Sequence, residues 1–271
     1  MKQILLLDYK TIINSKKFIL ISLIIFSIPT IGFLLSCRFY YSLPINFIRS
    51  SLEENFIGGM VCRHLKLMFI LILPILSMML CSDLYIQQYK NGTYKYILTK
   101  TSKFNYIISK IIVVFTLTFF VIFISLLINQ ILFCIAFPIN GIDNARALPS
   151  FDIGYSNYSE SSFLDLLRLK NRFIYNITFF AIFGMVAGLY ALISLSISFF
   201  IKKPKISIIL MFILLIGIYI MFMTLGIEEY HINYYLDGES KGNMFFYSWI
   251  LAFLSIVFIL SKFKLKFNDE I

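Results

Sequence analysis

The sequence predicts an all-α polytopic membrane protein with six transmembrane helices and both termini in the cytoplasm, built as a single transmembrane domain over residues 1–271. Three observations predict it. First, 59% of the residues are apolar and 14% are charged, against roughly a quarter charged in an ordinary soluble domain; the mean hydropathy is +0.86. Second, six runs (18–37, 67–81, 111–137, 173–201, 206–225 and 244–260) contain no Asp, Glu, Lys, Arg or His. They reach or approach the roughly 20 residues that cross a hydrocarbon core. None alternates polar and apolar residues as a membrane strand does, so the spans are helices, at about 18–37, 65–82, 107–137, 173–201, 206–225 and 244–261. Third, with the N-terminus inside, 15 of the 24 Lys and Arg residues fall on the inner side and 9 on the outer, while 10 of the 14 acids fall outside. The positive-inside rule then places both ends in the cytoplasm. Arg168, Lys170 and Arg172, before the fourth span, run locally against it.

Residues 1–17 read as an amphipathic helix lying in the interface. Leu5, Leu6, Tyr9, Ile12 and Ile13 share one stripe, with Asp8, Lys10, Thr11, Asn14 and Ser15 facing away. The LLSC at 34–37 loosely resembles a lipoprotein cleavage site, but the long leader and five further spans favour retention. Pro29 and Pro74 remove backbone donors and can kink the first two spans. The loop at 38–66 is mixed and partly apolar and is expected against the membrane. Cys37 and Cys62 both fall on this side, but sequence offers no geometry with which to test a disulfide.

Asn129 and Gln130, in the outer half of the third span, are expected to face protein or a pathway rather than lipid. The long loop at 138–172 is irregular in its first half. In SSFLDLLRLKNRF a Ser cap opens a helical pattern carried by Phe163, Leu164 and Leu167. Gly184 and Gly188 form a GxxxG in the fourth span, expected to serve packing within the bundle or a dimer seam. The last outer loop is acidic and tyrosine-rich. Glu228, Glu229, Asp237 and Glu239 are candidate outer contacts for a cationic substrate, against the plainer reading of a solvated loop.

Several chemistries lack their residues. The two histidines, His64 and His231, fall in separate outer loops and read as solvated. There is no CxxC, no histidine pair at metal-ligand spacing, and no carboxylate within an apolar run, which disfavours an intramembrane metal enzyme or protease. Ion-coupled carriers commonly place ionisable groups at the midplane. No GxxxxGK[ST] phosphate loop occurs either, so any nucleotide must be bound by another chain. The net charge of +10 is accounted for by the inner membrane surface without invoking nucleic acid.

The segment 87–110, QQYKNGTYKYILTKTSKFNYIISK, interrupts this apolar pattern with five lysines and four tyrosines. Gly92 marks a turn and Thr93 is the expected N-cap. Tyr94, Ile97 and Leu98 then make one apolar face, and Ser102 caps the helix that becomes the third span. A helix of about two turns is too short to be stable alone in water, so this face must dock on membrane or protein.

Gln88-Tyr-Lys-Asn-Gly92-Thr93-Tyr-Lys-Tyr-Ile97-Leu98-Thr-Lys-Thr-Ser102-Lys103, followed by Tyr106 and Lys110, resembles the loop of type-2 ATP-binding-cassette (ABC) transporter permeases. The pattern there is an acid, four residues later Gly-Thr, two apolar residues, a Pro with Ser-Arg, and a Lys opening the next span. Six spans, an N-terminal interfacial helix and cytoplasmic ends extend the resemblance over most of the chain. Two departures stand out: Gln88 replaces the acid, so the salt bridge that acid would make is absent, and the Pro is missing near Lys100–Ser102.

The resemblance implies that the short helix is a cytoplasmic coupling helix docking an ABC ATP-binding subunit. Gly92 and Thr93 would shape the turn, Tyr94, Ile97 and Leu98 would anchor, and Lys95, Lys100 and Lys103 would set electrostatic fit. It further implies a second permease copy or paralogue, and ATP and Mg held by the partner rather than by this chain, which would itself be no enzyme. The setting would be a bacterial plasma membrane, and the task export of a peptide, drug or lipid-like molecule, as in antimicrobial peptide resistance. The competing reading is a non-transport accessory or assembly protein whose hairpin binds some other partner.

Overall fold

The computed structural model describes residues 2–81, 84–139, 141, 163–201, 203–238 and 243–267. The described residues form helices and turns, with no strand. The helices in chain order are α1 (Lys2–Ile13), α2 (Lys16–Tyr40), α3 (Arg63–Cys81), α4 (Leu84–Lys90), α5 (Thr93–Lys100), α6 (Lys103–Ala136), α7 (Asp165–Lys170), α8 (Arg172–Ser198), α9 (Pro204–Thr224), α10 (Ile232–Asp237) and α11 (Asn243–Phe267). Six stretches are long and apolar enough to cross a membrane: Lys16–Tyr40, Arg63–Lys90, Lys103–Ala136, Arg172–Ser198, Ile206–Thr224 and Met244–Lys266.

The observed helices begin before the expected spans, because caps rather than hydropathy set where several of them start. The Ser15 hydroxyl accepts from Phe18 N at 3.2 Å and opens α2. Ser102, as expected, does the same for Asn105 N at 3.3 Å and starts α6 at Lys103, eight residues before the apolar run begins. At 34 residues, α6 is about 50 Å long and outreaches a hydrocarbon core of about 30 Å. Asn171 caps α8 through Ile174 N at 3.1 Å. The cap position of α7 is Leu164 at φ 57°, with no side-chain cap; the serines expected there lie outside the described residues.

The fourth span, α8, is the axis of the bundle, buried along most of its length while α2, α9 and α11 bury one narrow side and leave the rest apolar and exposed. The small residues of α8 permit this. A Cβ on Gly184 would meet the Phe119 carbonyl oxygen at 2.9 Å, and one on Gly188 would meet the Phe115 ring at 2.7 Å. The GxxxG therefore seats α6 of the same chain.

Pro29 has a specific consequence. Lacking an N–H, it leaves the Ile25 carbonyl without its helical donor. The Ser125 hydroxyl of α6 donates to that carbonyl at 3.0 Å, and the Asn129 amide donates to the Pro29 carbonyl at 2.7 Å. The proline thus becomes the point where α2 and α6 are bonded.

Small-to-large substitution at a packed seam forces strain of about 1–3 kcal/mol. Gly188→Val should therefore lower the thermal unfolding temperature of the detergent-solubilised protein. Gly217→Val, in α9 where an added Cβ meets nothing within 4 Å, should leave it nearly unchanged. Equal melting of the two variants would show that α8 does not need its close approach to α6.

Candidate functional site

One end of the bundle gathers α1, the α4–α5 hairpin and the C-terminal turns of α11; the site is built from the hairpin outward. Gly92 closes the turn at φ 69°, a left-handed conformation that glycine adopts without Cβ strain. Gly92, not Thr93, holds the cap position of α5, and the Thr93 hydroxyl donates instead to the Gln88 carbonyl at 3.2 Å, pinning the two arms. Tyr94 is buried and stacks on Tyr89 with centroids 5.0 Å apart, while Ile97 and Leu98 are half-buried against the chain's own core. The face expected to need a partner is thus largely covered by the chain itself. Lys95, Tyr96, Thr99 and Lys100 point outward, with Lys103 exposed at the start of α6. Lys100 donates to the Tyr96 hydroxyl at 2.7 Å, and its charge also sits 4.5 Å from that ring; together they hold the phenol below its ordinary pKa.

Beneath the hairpin lies a fully buried ion pair that sequence reasoning missed. Asp8, expected to face away from the apolar stripe, is completely buried, and its carboxylate accepts from Lys110 Nζ at 2.5 Å, Gln88 Nε2 at 2.8 Å and the Ser109 hydroxyl at 3.3 Å. The Tyr106 hydroxyl donates to Gln88 Oε1 at 3.0 Å, and Lys110 Nζ lies 4.5 Å from the Tyr106 ring centroid. The carboxylate beside Gln88 therefore comes from residue 8, and Gln88 links it to Tyr106. Accordingly the inward line of α1 is Ile4, Asp8 and Ile12, with Leu5 and Tyr9 beside it; Tyr9 also bonds Thr116 at 2.5 Å. Leu6 and Ile13 turn away, 60% and 46% exposed, so the expected stripe splits between core and surroundings.

At the opposite end, residues 50–57 are buried almost throughout yet not helical. Such backbone needs side-chain partners wherever water is excluded. Phe56 N donates to Asn129 Oδ1 at 3.2 Å, Gln130 Nε2 to the Ser51 carbonyl at 3.0 Å, and Asn176 Nδ2 to the Leu52 carbonyl at 3.0 Å. Asn129 and Gln130 do face protein. Of the loop expected against the membrane, residues 49–57 form a wedge inside the bundle, while 41–45 and Phe47 remain exposed. Glu53 lies 3.2 Å from Arg172, and the buried Glu54 accepts from the Tyr40 hydroxyl at 3.3 Å. Burial raises the Glu54 pKa, with Arg49 opposing. Cys37 and Cys62 are unbonded thiols; burial lifts Cys62 to about 11.

Asp237, a candidate substrate contact, is engaged by Lys66, which pairs with its carboxylate and also donates to its backbone carbonyl at 3.2 Å. Glu228 and Glu229 are half-buried in a short 3₁₀ turn, and Glu239 lies outside the described residues. His231 is not solvated: it is buried among Tyr219, Phe222 and Trp249 and accepts from Asn233 N through Nδ1 at 3.2 Å. A cleft of about 370 Å³ opens beside this region, lined by Arg63, Leu67, Tyr219, Asn233, Tyr234 and Asp237 among others. Among the described residues no three His, Cys, Asp or Glu side chains are placed to hold a metal.

Comparison of the chain with family models, with curated proteins and with solved structures returns no match.

Removing one partner of a buried ion pair costs about 3–5 kcal/mol, because the other charge stays buried alone. Asp8→Ala and Lys110→Met should each lower the unfolding temperature strongly, and the double variant should recover part of the loss. Fully additive losses would mean that the two charges do not act as a pair.

Burial holds His231 at about 4, below its ordinary value. The unfolded chain binds that proton more readily, so stability is full above pH ~6.5 and declines as pH falls toward 4, by at most about 3 kcal/mol. His231→Phe should flatten that part of a melting-temperature profile taken from pH 7 to pH 4; a profile identical to the parent's would exclude His231 as the titrating group.

Proposed function

We propose that this chain is the permease subunit of an ABC exporter, with α5 as the coupling helix that a separate cytoplasmic ATPase receives. The orientation is N-in and C-in, α1 lies in the inner interface, and two permease chains pair. The observation that carries the reading is that α5 is fastened by its inner face while presenting Lys95, Tyr96, Thr99 and Lys100 outward. The Asp8–Lys110–Gln88 cluster beneath it ties the hairpin to α1 and α6. Force applied to the outward face would reach the third span through bonded groups rather than through a floppy loop. The resemblance at 88–110 supports the same assignment, and the absence of a phosphate-loop motif makes the energy source a separate chain.

On this reading the anchors shift. Tyr94 is a hinge pin of the hairpin, whereas Lys95, Tyr96 and Lys100 meet the ATPase, with Ile97 and Leu98 at the rim. Complementary charge there would govern encounter and register more than raw affinity. At the far end, the cleft beside Tyr219 and Asn233 offers an amphipathic lining to a peptide, drug or lipid-like substrate, with Glu228 and Glu229 adding negative charge nearby.

One observation favours the accessory-protein reading: the hairpin is already folded on its own chain and needs no ATPase to complete it. Photo-crosslinking separates the two. A cross-linker at Tyr96, used in native membranes, should capture a cytoplasmic protein that azido-ATP labels, and Lys95→Glu with Lys100→Glu should cut that capture about tenfold. Capture of a protein that takes no nucleotide would establish the accessory reading instead. Labelling of Tyr96→Cys by an impermeant reagent from outside the cell would defeat both.

A further inference from the structure

The C-terminal turns of α11 carry three lysines that do different things. Lys264 is turned inward and buried, its Nζ 5.8 Å from the Tyr85 ring centroid, and this fixes the rotation of the helix. Lys262 and Lys266, one helical turn apart, consequently stand on the outward side with Phe258, Ile259 and Phe263. These five residues line a shallow groove of about 410 Å³. The apolar part is 64%, 50% and 51% exposed at Phe258, Ile259 and Phe263, and Lys262 Nζ lies 5.7 Å from the Phe258 centroid. Aromatic and aliphatic surface therefore runs along the span and ends under two ammonium groups.

We propose that this face binds one anionic phospholipid of the cytoplasmic leaflet, its acyl chain along Phe258, Ile259 and Phe263 and its phosphate between Lys262 and Lys266. Charge selects this occupant. A second copy meeting this face about a twofold axis would set Lys262 and Lys266 against themselves, and like charges repel in a low-dielectric setting. A zwitterionic lipid would satisfy the apolar surface but would carry its own cation toward the lysines. An anionic headgroup meets both requirements, at the depth where lysines at a helix end reach the interface. The inference rests on the inner placement of the α11 C-terminus and not on any ATPase, so loss of the docking partner would leave it standing.

The test uses the full chain purified in a mild detergent, with retained lipid read by native mass spectrometry. Phosphatidylglycerol should be retained over phosphatidylcholine by the parent protein. Lys262→Gln with Lys266→Gln should reduce phosphatidylglycerol retention roughly tenfold, to the phosphatidylcholine level. Lys16→Gln with Lys17→Gln, at the start of α2, should leave it intact, and Phe258→Ala with Phe263→Ala should weaken retention of both lipids. Equal retention of the two lipids by the parent, an equal loss from either lysine pair, or a dimer that disappears with Phe258→Ala and Phe263→Ala would overturn the proposal.

Discussion

The buried pairing of Asp8 with Lys110 is the constraint on which the hairpin end of the molecule depends. Two charges withdrawn from water are costly unless each finds its counterpart and the remaining polar atoms are bonded. Here the lysine comes from the third span, the carboxylate from the N-terminal helix, and the supporting amide and hydroxyls from Gln88, Ser109 and Tyr106. Satisfying all of them at once fixes where α1 lies, how the α4–α5 hairpin is tilted, and which face of α6 turns inward. Tyr94 on Tyr89 and the Thr93 bond to the Gln88 carbonyl then finish the hairpin. A loop that would be too short to hold itself in water becomes a rigid projection.

The opposite end solves a different problem by similar means. An irregular segment pushed among helices cannot bond its own backbone, so Asn129, Gln130 and Asn176 extend side-chain amides to it. Asn129 also reaches the Pro29 carbonyl, so one residue serves both the wedge and the proline-bearing helix. Lys66 with Asp237, and His231 within its aromatic surround, tie down the connection between the last two spans. Charged and amide side chains are thus concentrated at the two ends, with close packing of α6 on α8 between them.

Sequence reasoning located the hairpin and its amphipathic helix because turn and cap chemistry is local: a glycine with φ > 0 and a serine three residues ahead of a backbone N–H. It placed the apolar face of α5 correctly but not what covers that face, because Tyr89 and the core reach it only after folding. Asp8 was misplaced for a related reason. On a helical wheel it groups with the polar residues, and only Lys110, 102 positions later, makes an inward carboxylate tolerable. His231 looked solvated because its loop is acidic and polar, yet Tyr219, Phe222 and Trp249 come from the flanking spans. A carboxylate in an otherwise apolar amphipathic helix, matched to a lone lysine at the start of a span, was the signal that could have found the pair.

By itself the sequence determined six helices long and apolar enough to cross a membrane, their order, the basic character of one end and the hairpin between the second and third, because each rests on runs, caps and charge counts readable within some twenty residues. The tertiary structure alone decided which polar residues are spent inside the protein and which remain on its surface. Asp8, Gln88, Asp237 and His231 passed to the interior, and Lys95, Tyr96, Lys262 and Lys266 stayed outside. The physical reason is that burying a polar or charged group is tolerable only beside its partner, and those partners lie on other helices, which no local pattern brings together.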